Sequence, residues 1–387
     1  MTFRVDRLGV VIAALAAFAA YSPFATVRAN RIVQGEGVAI LEALPVGLGW
    51  LMLLVVLLAS LVALFRKDAT TRLLAAAAAF TVFFICIGNA ASHLTPADNS
   101  YARVSPASGF WLLLFTFSLL LADGVTRMRP SSLLRLLYLG LAIAILSLIL
   151  LSGLWGELSL MKEYTARADV FWLEAFRHLA LALGSLAAAA AIGVPLGIVC
   201  DRVPAMRAGV FSTLNIVQTI PSIALFGLLI APLGWIAIHV PGAYAVGVRG
   251  VGAAPAFVAL FLYSLLPMVA NTVAGLAAVP RASTDAARGL GMTSAQRLGR
   301  VELPLALPVI LTGIRIVLVQ NVGLATVAAL IGGGGFGTFV FQGLGQTATD
   351  LVLLGALPTV ALAFGSAIVL DVLIDMSRRS SPKKVSL

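Results

Sequence analysis

Apolar runs separated by short polar segments fill the chain from end to end, and ten of them are long. They cover Leu8–Val27, Ala43–Phe65, Leu73–Ala91, Ser108–Ala122, Leu136–Leu154, Leu179–Val199, Ala208–Pro232, Ala253–Val279, Leu305–Ile331 and Val352–Leu370. A helix rises 1.5 Å per residue, so about 20 apolar residues cross a bilayer. It also satisfies its own backbone N–H and C=O groups, which hydrocarbon demands. The pattern predicts an all-α polytopic membrane protein of about ten transmembrane helices. The fourth run is short, and the seventh and ninth are long.

Composition agrees. The chain is 60% hydrophobic and 11% charged, against about half and about a quarter in a soluble domain. The net charge of +10 follows from orientation. With the N-terminus inside and the runs alternating, inner segments carry 18 of the 26 Lys and Arg residues and outer segments seven; Arg315 lies inside a run. That is the positive-inside bias, and it puts both termini in the cytoplasm. No basic face with interleaved aromatics appears, so nucleic acid is not an expected partner; membrane lipid is. Arg4 and Arg7 before the first run resemble a signal peptide, but its uncharged stretch is long for one and reads as a retained helix. Cys86 and Cys200 fall at depths roughly 20 Å apart, too far for a disulfide. His93, His178 and His239 fall in three separate outer segments, without metal-ligand spacing. No side chain sits in a recognisable nucleophile context. No catalytic residue, metal or cofactor is expected, and a membrane enzyme is disfavoured.

The halves differ. Residues 1–155 hold five runs with few polar residues. Residues 156–176 form an outer connecting segment, within "LWGELSLMKEYTARADVFWLEAFR", which suits either an interfacial amphipathic helix or a solvated linker. The later runs are interrupted. Gly193 and Gly197 in "GVPLG" stand four apart, which permits close helix approach, and Pro195 between them favours a bend. Asn215, Gln218, Thr219, Pro221 and Ser222 enter the seventh run; Tyr263, Pro267, Asn271 and Thr272 the eighth; Arg315, Gln320 and Asn321 the ninth. Polar groups at membrane depth face other helices or an aqueous path, and prolines free carbonyls that need partners. Gln218, Ser222, Tyr263, Asn271, Arg315 and Asn321 are candidate translocation-path residues, with helix-to-helix adhesion as the alternative. Arg315 either snorkels or pairs, with Asp371 and Asp375 as candidate partners. "IGGGGFG" (Ile331 to Gly337) lacks the Lys and the preceding strand of a phosphate loop, and suits a flexible turn or gate near the outer face.

The polar segment "DAARGLGMTSAQRLGRVELP" (residues 285–304) lies inside, between the eighth and ninth runs. Ser283 or Thr284 can cap a short helix with Asp285 in its first turn, where the helix dipole favours an acid. Ala286 and Ala287 are small enough for close packing. Gly289 and Gly291 end that helix. Thr293-x-x-Gln296 is a capping-box pattern for a second helix ending near Arg300. Pro304 then starts the return to the membrane. Two such helices form a rigid knob suited to docking; an ordinary helix-turn is the alternative.

Asp285-Ala286-Ala287, three residues, Gly291, nine residues, Val301-x-Leu303-Pro304 resembles the EAA loop of ABC importer permeases, with Asp in place of Glu and Val in place of Ile. "QTIPSIAL", "LYSLLPMVANT", "ARGLGMT" and "IGGGGFG" resemble the osmoprotectant branch, the glycine betaine, choline and proline betaine permeases. The resemblance covers residues 177–375, which it identifies as a type I importer permease core with the EAA loop at 280–304, followed by a basic cytoplasmic tail at 376–387. It implies a bacterial inner-membrane subunit importing small osmolytes by alternating access. It also implies a separate ATPase docked on the EAA segment, a periplasmic binding protein outside, and a homodimer or paired permease. The five preceding spans depart from the minimal core. Gly234–Gly252 looks long for an outer connection, and serves either contact with the binding protein or as a tolerated insertion. A different function class, an ion-coupled secondary transporter with a five-plus-five inverted repeat, would place Pro23 and Pro195 in corresponding positions, but the halves share no motif.

Overall fold

The structure, a computed structural model, describes residues 5–30, 33–96, 98–99, 101–245 and 247–379. Arg4, Arg31, Lys383, Lys384 and residues 380–387 of the expected tail lie outside the described residues. The chain forms two compact units that meet between Ala166 and Arg167.

In the first unit, α1 (Arg7–Tyr21) is followed by strands β1 (Ala25–Arg28) and β2 (Glu36–Val38), then α2 (Ile40–Ala43), α3 (Val46–Phe65) and α4 (Ala69–Leu94). Strand β3 (Arg103–Pro106), α5 (Ser108–Met128), α6 (Ser132–Leu151) and α7 (Ser159–Thr165) complete it. The buried positions of α3 are Gly49, Met52, Val56, Ala59 and Ala63. That spacing of three or four is one helical face. α1, α4 and α5 bring matching faces to the same core, where the Phe83 ring stacks on Phe110 at 4.4 Å. Three strands form one antiparallel sheet in the order β2-β1-β3.

The first expected run is therefore helical only to Tyr21, and its last residues pair as β1: Ala25 with Val38 and Pro106. Pro23 stops the helix because it has no N–H and restricts the residue before it to extended backbone. The fourth run is longer than expected, reaching Met128. Asp123 and Arg127 lie within it, four residues apart, and pair at 2.7 Å. Both belong to a network around Arg72, which is wholly buried. Arg72 pairs with Asp123 and donates to Arg66 O (2.7 Å) and Ala63 O (2.8 Å). Arg127 reaches Asp6 at 2.8 Å.

The second unit opens with α8 (Ala168–Arg202), a continuous helix of 35 residues. α9 (Pro204–Thr219), α10 (Ser222–His239), α11 (Ala253–Ala277), α12 (Arg281–Gly289) and α13 (Ser294–Arg297) follow. A π turn at Leu298–Glu302 leads into α14 (Leu303–Val327), and α15 (Gly337–Gly345) and α16 (Thr349–Arg379) end the described chain. Among the described residues, nine helical stretches are long and apolar enough to cross a membrane; α1 is a shorter apolar helix.

Three expectations change here. Segment 156–176 is largely helical, holding α7 of the first unit and the start of α8 at Ala168. The seventh run is two helices, broken at Ile220–Pro221, where both residues adopt extended backbone. The connection expected from Gly234 starts at Val240, because Gly234–His239 is the end of α10. α8 crosses α11 on its two glycines, as the spacing predicts. A Cβ on Gly193 would lie 2.7 Å from Met268 Cβ, and one on Gly197 2.6 Å from Thr272 Cβ.

Gly197→Val should therefore destabilise the protein by about 1–3 kcal/mol through overpacking, read as a lower unfolding temperature in detergent. Gly209→Ala, where a Cβ meets nothing within 4 Å, should leave that temperature unchanged or raise it.

Candidate functional site

The polar segment between α11 and α14 stands out of the second unit. α12 starts earlier than its Ser and Thr suggest: Pro280 is the N-cap, and the Thr284 hydroxyl donates to Arg281 O at 2.7 Å. Asp285 is thus mid-helix, 3.6 Å from Arg288, with both side chains about two-thirds exposed. Of the two alanines Ala287 alone is buried; Ala286 is exposed. Leu290 at the tip is 78% exposed. Gly291 turns the chain with φ +75°, a conformation glycine adopts freely, so that Met292 N reaches Ala287 O at 3.1 Å. The expected capping box is present: Gln296 N donates to the Thr293 hydroxyl, and Thr293 N to Gln296 Oε1.

The second short helix does not end near Arg300. It passes through the π turn directly into α14, with Leu303 N donating to Leu298 O, five residues back. An extra residue in the turn changes which side chains align. In an α-helix, residues five apart point about 140° away from each other; here Arg297 Nε and Glu302 Oε1 meet at 2.7 Å. Glu302 is 5% exposed, and its other oxygen pairs with Arg202, the last residue of α8. Val301 is half-buried, Pro304 is exposed in the first turn of α14, and Leu303 packs beside Leu276, Ala306 and Ile310.

The polar residues of the long helices fall into separate groups. Pro267 cannot donate to Tyr263 O, and Gln218 Nε2 does so instead at 2.6 Å. The Tyr263 hydroxyl donates to Ile220 O, at the break before Pro221. Gln218 and Tyr263 thus meet, and Ser222 begins α10 just beyond them. Asn321 and its neighbours Ser185 and Ser264 are wholly buried. Asn321 Nδ2 donates to Ser185 Oγ at 2.9 Å, and its Oδ1 lies 3.0 Å from Ser264 Oγ, which joins α8, α14 and α11. Asn271 donates to Pro267 O and lies against Gly313. Arg315 pairs with Asp371 of α16 at 2.6 Å, both side chains over one-third exposed.

The glycine stretch is a buried, fastened loop rather than a free one. Gly332, Gly334 and Gly335 have positive φ, and residues 333–337 are buried. Glu174 of α8, 4% exposed, accepts from Gly335 N; its neighbour His178 accepts from Phe336 N at 3.3 Å. A Cβ on Gly334 would lie 2.7 Å from Glu174 Oε2. Sequence reading missed Glu174, His178 and Ser185 by assigning the first two to an outer segment. Their spacing of four and seven residues was the available signal, since it places all three on one helical face.

Residues 193–380 match the family described as binding-protein-dependent transport system inner membrane component. Residues 6–161 match a different one, ABC transporter permease YehY, N-terminal domain, and neither match is to an ion-coupled secondary transporter. The osmoprotectant import permease protein OsmW of Salmonella typhimurium is 43% identical over 51% of this chain and 86% of its own length. OsmY of the same organism, also an osmoprotectant import permease protein, is 39% identical over 64% and 96%. The choline transport system permease protein OpuBB of Bacillus subtilis is 36% identical over 53% and 85%.

Glu174→Ala leaves the buried Gly335 N–H without its acceptor and should cost about 1–3 kcal/mol. Hydrogen exchange should then quicken at residues 333–338. Asn321→Ala should cost less, about 0.6–1.7 kcal/mol, with the loop's exchange unchanged.

Proposed function

This chain belongs to the family of inner-membrane components of binding-protein-dependent transport systems, and we propose that it carries small osmolytes such as glycine betaine inward across the bacterial inner membrane. It is a permease subunit. In this reading a separate ABC ATPase hydrolyses ATP, and a periplasmic binding protein delivers substrate. Two permeases, identical or paired, enclose one path. Both termini and the α12–α13 knob are cytoplasmic.

The observation that carries the reading is the knob. Asp285, Ala286, Leu290 and Gly291 are exposed on a projection whose second helix is held by a capping box, and which contributes little to the bundle's own core. An exposed leucine between two glycines, with Asp285 and Arg288 on the helix before it, suits a cleft in a partner. Its spacing, from Asp285 through Gly291 to Val301, Leu303 and Pro304, is that of the EAA loop. Nucleotide-driven closure of two ATPases would move two such knobs and reorient the helices, giving alternating access. Half-buried Gln218, Ser222, Asn271 and Arg315 line the path in this scheme, while Tyr263 and Asn321 hold its helices in place.

Substrate choice rests on the relatives' names rather than on a cage in this chain. Quaternary ammonium groups bind on aromatic faces, and Tyr263 has its hydroxyl engaged within the bundle. The binding protein is accordingly assigned the discrimination. Gly234–His239 being helical, the outer connection Val240–Gly252 is the surface assigned to that partner; Arg249 there stacks 4.5 Å from the Tyr244 ring.

Reconstitution with the ATPase and binding protein should give ATP-dependent uptake of labelled glycine betaine, choline or proline betaine. Hydrolysis with no uptake of any of them would keep the class and refute the substrate. Asp285→Lys, or Gly291→Leu at φ +75°, should cut ATPase co-purification about tenfold, equivalent to about 1.4 kcal/mol. Membrane insertion should be unaffected.

A further inference from the structure

Resting on that reading, we infer that α8 is a rod that transmits movement of the α12–α13 knob to the buried glycine loop at the far end of the unit, with Arg202–Glu302 as its joint. α8 is fastened to the α14 segment at three levels. At one end, Arg202 pairs with Glu302 in the π turn. Midway, Ser185 accepts from Asn321. At the other end, Glu174 and His178 accept from Gly335 and Phe336, in the loop that follows α14. Arg202 and Glu174 are 28 residues apart in one helix, which runs through Pro195 without ending; the span is roughly 42 Å at helical rise.

The joint has the features that transmission needs. Glu302 is buried and bonded to guanidinium groups on two sides, so neither contact slides freely in water. Arg297 ties it to the capped knob, and Arg202 ties it to the rod. The π turn produces this alignment, and such turns concentrate at functional positions in helices. Without the joint, a push on α12–α13 would enter α14 along its own backbone and reach the inner end of α8 only through the apolar packing of Val194 and Ile198 against Leu276, Ala306 and Ile310. With it, both helices shift together, and the glycine loop, clamped by α8 and covalently joined to α14, moves as one piece. Glu302 and Arg202 are positioning residues and touch no substrate.

The test uses the full complex with its ATPase and binding protein. A spin label is placed at Leu330→Cys, an exposed position beside the loop, in a Cys86→Ala, Cys200→Ala background. ATP should change the label's mobility in the parent protein and in Arg202→Lys, which keeps the charge. Arg202→Gln should retain ATPase association and hydrolysis, lose the ATP-dependent change at the label, and transport at least about fivefold less osmolyte per ATP. An Arg202→Gln complex that responds and transports like its parent overturns the inference. So does a parent complex that transports with no change at the label. Loss of ATPase association in Arg202→Gln also overturns it, since the pair would then serve docking. A parent that neither binds the ATPase nor transports refutes the functional reading instead.

Discussion

A carbonyl freed by proline inside an apolar bundle has no water to bond, and the architecture of the second unit depends on how such groups are satisfied. Pro221 breaks the seventh span and Pro267 interrupts the ladder of α11. The Tyr263 hydroxyl takes the carbonyl of Ile220, and the Gln218 amide takes that of Tyr263. Each break thus supplies the partner for the other. An unsatisfied backbone group would cost several kcal/mol in hydrocarbon, so this exchange holds α9, α10 and α11 in one relation. Gln218 and Tyr263 act as structural partners before any encounter with substrate.

Charges inside helices follow the same logic. Arg72 with Asp123, Glu302 with Arg202 and Arg297, and Arg315 with Asp371 are acid–base groups whose partners lie on other helices or one turn away. Burying a charge unpaired is costly, and breaking such a pair exposes that cost. The pairs therefore fix which helix faces meet. They differ in exposure: Arg72 is wholly buried, whereas Arg315 and Asp371 remain partly open. A partly open ion pair on an apolar helix faces water or another protein surface more readily than lipid.

This accounts for what the amino-acid pattern revealed and what it concealed. The apolar runs located the long helices, apart from merging α9 and α10 into one, because lipid-facing sequence has little choice of structure. Their ends were misjudged where a charged residue continued the helix. Asp123 and Arg127 extend α5, Glu174 extends α8, and Arg297 to Glu302 carry α13 into α14. A charge reads as a boundary until its partner is known, and these partners lie up to 161 residues away. The first run failed for a different reason, since β1 is as apolar as a helix end and Pro23 alone marked the change. Local signals did better: the capping box at Thr293 and the αL glycine at Gly291 depend on neighbours within a few residues.

The glycine loop shows why composition misleads when packing is unseen. Four consecutive glycines suggest freedom, yet residues 333–335 are buried. Positive φ at Gly332, Gly334 and Gly335 lets the backbone turn tightly. The missing side chains also let it approach the Glu174 carboxylate and the His178 ring. A methyl group at Gly334 would stand 2.7 Å from a carboxylate oxygen, and one at Gly335 3.1 Å from His178 Nδ1. The glycines are therefore required by contact as much as by conformation. The Glu174 carboxylate satisfies the buried Gly335 N–H, which would otherwise lack a partner at a cost of about 1–3 kcal/mol. What holds this loop in one place is therefore α8 rather than the loop itself.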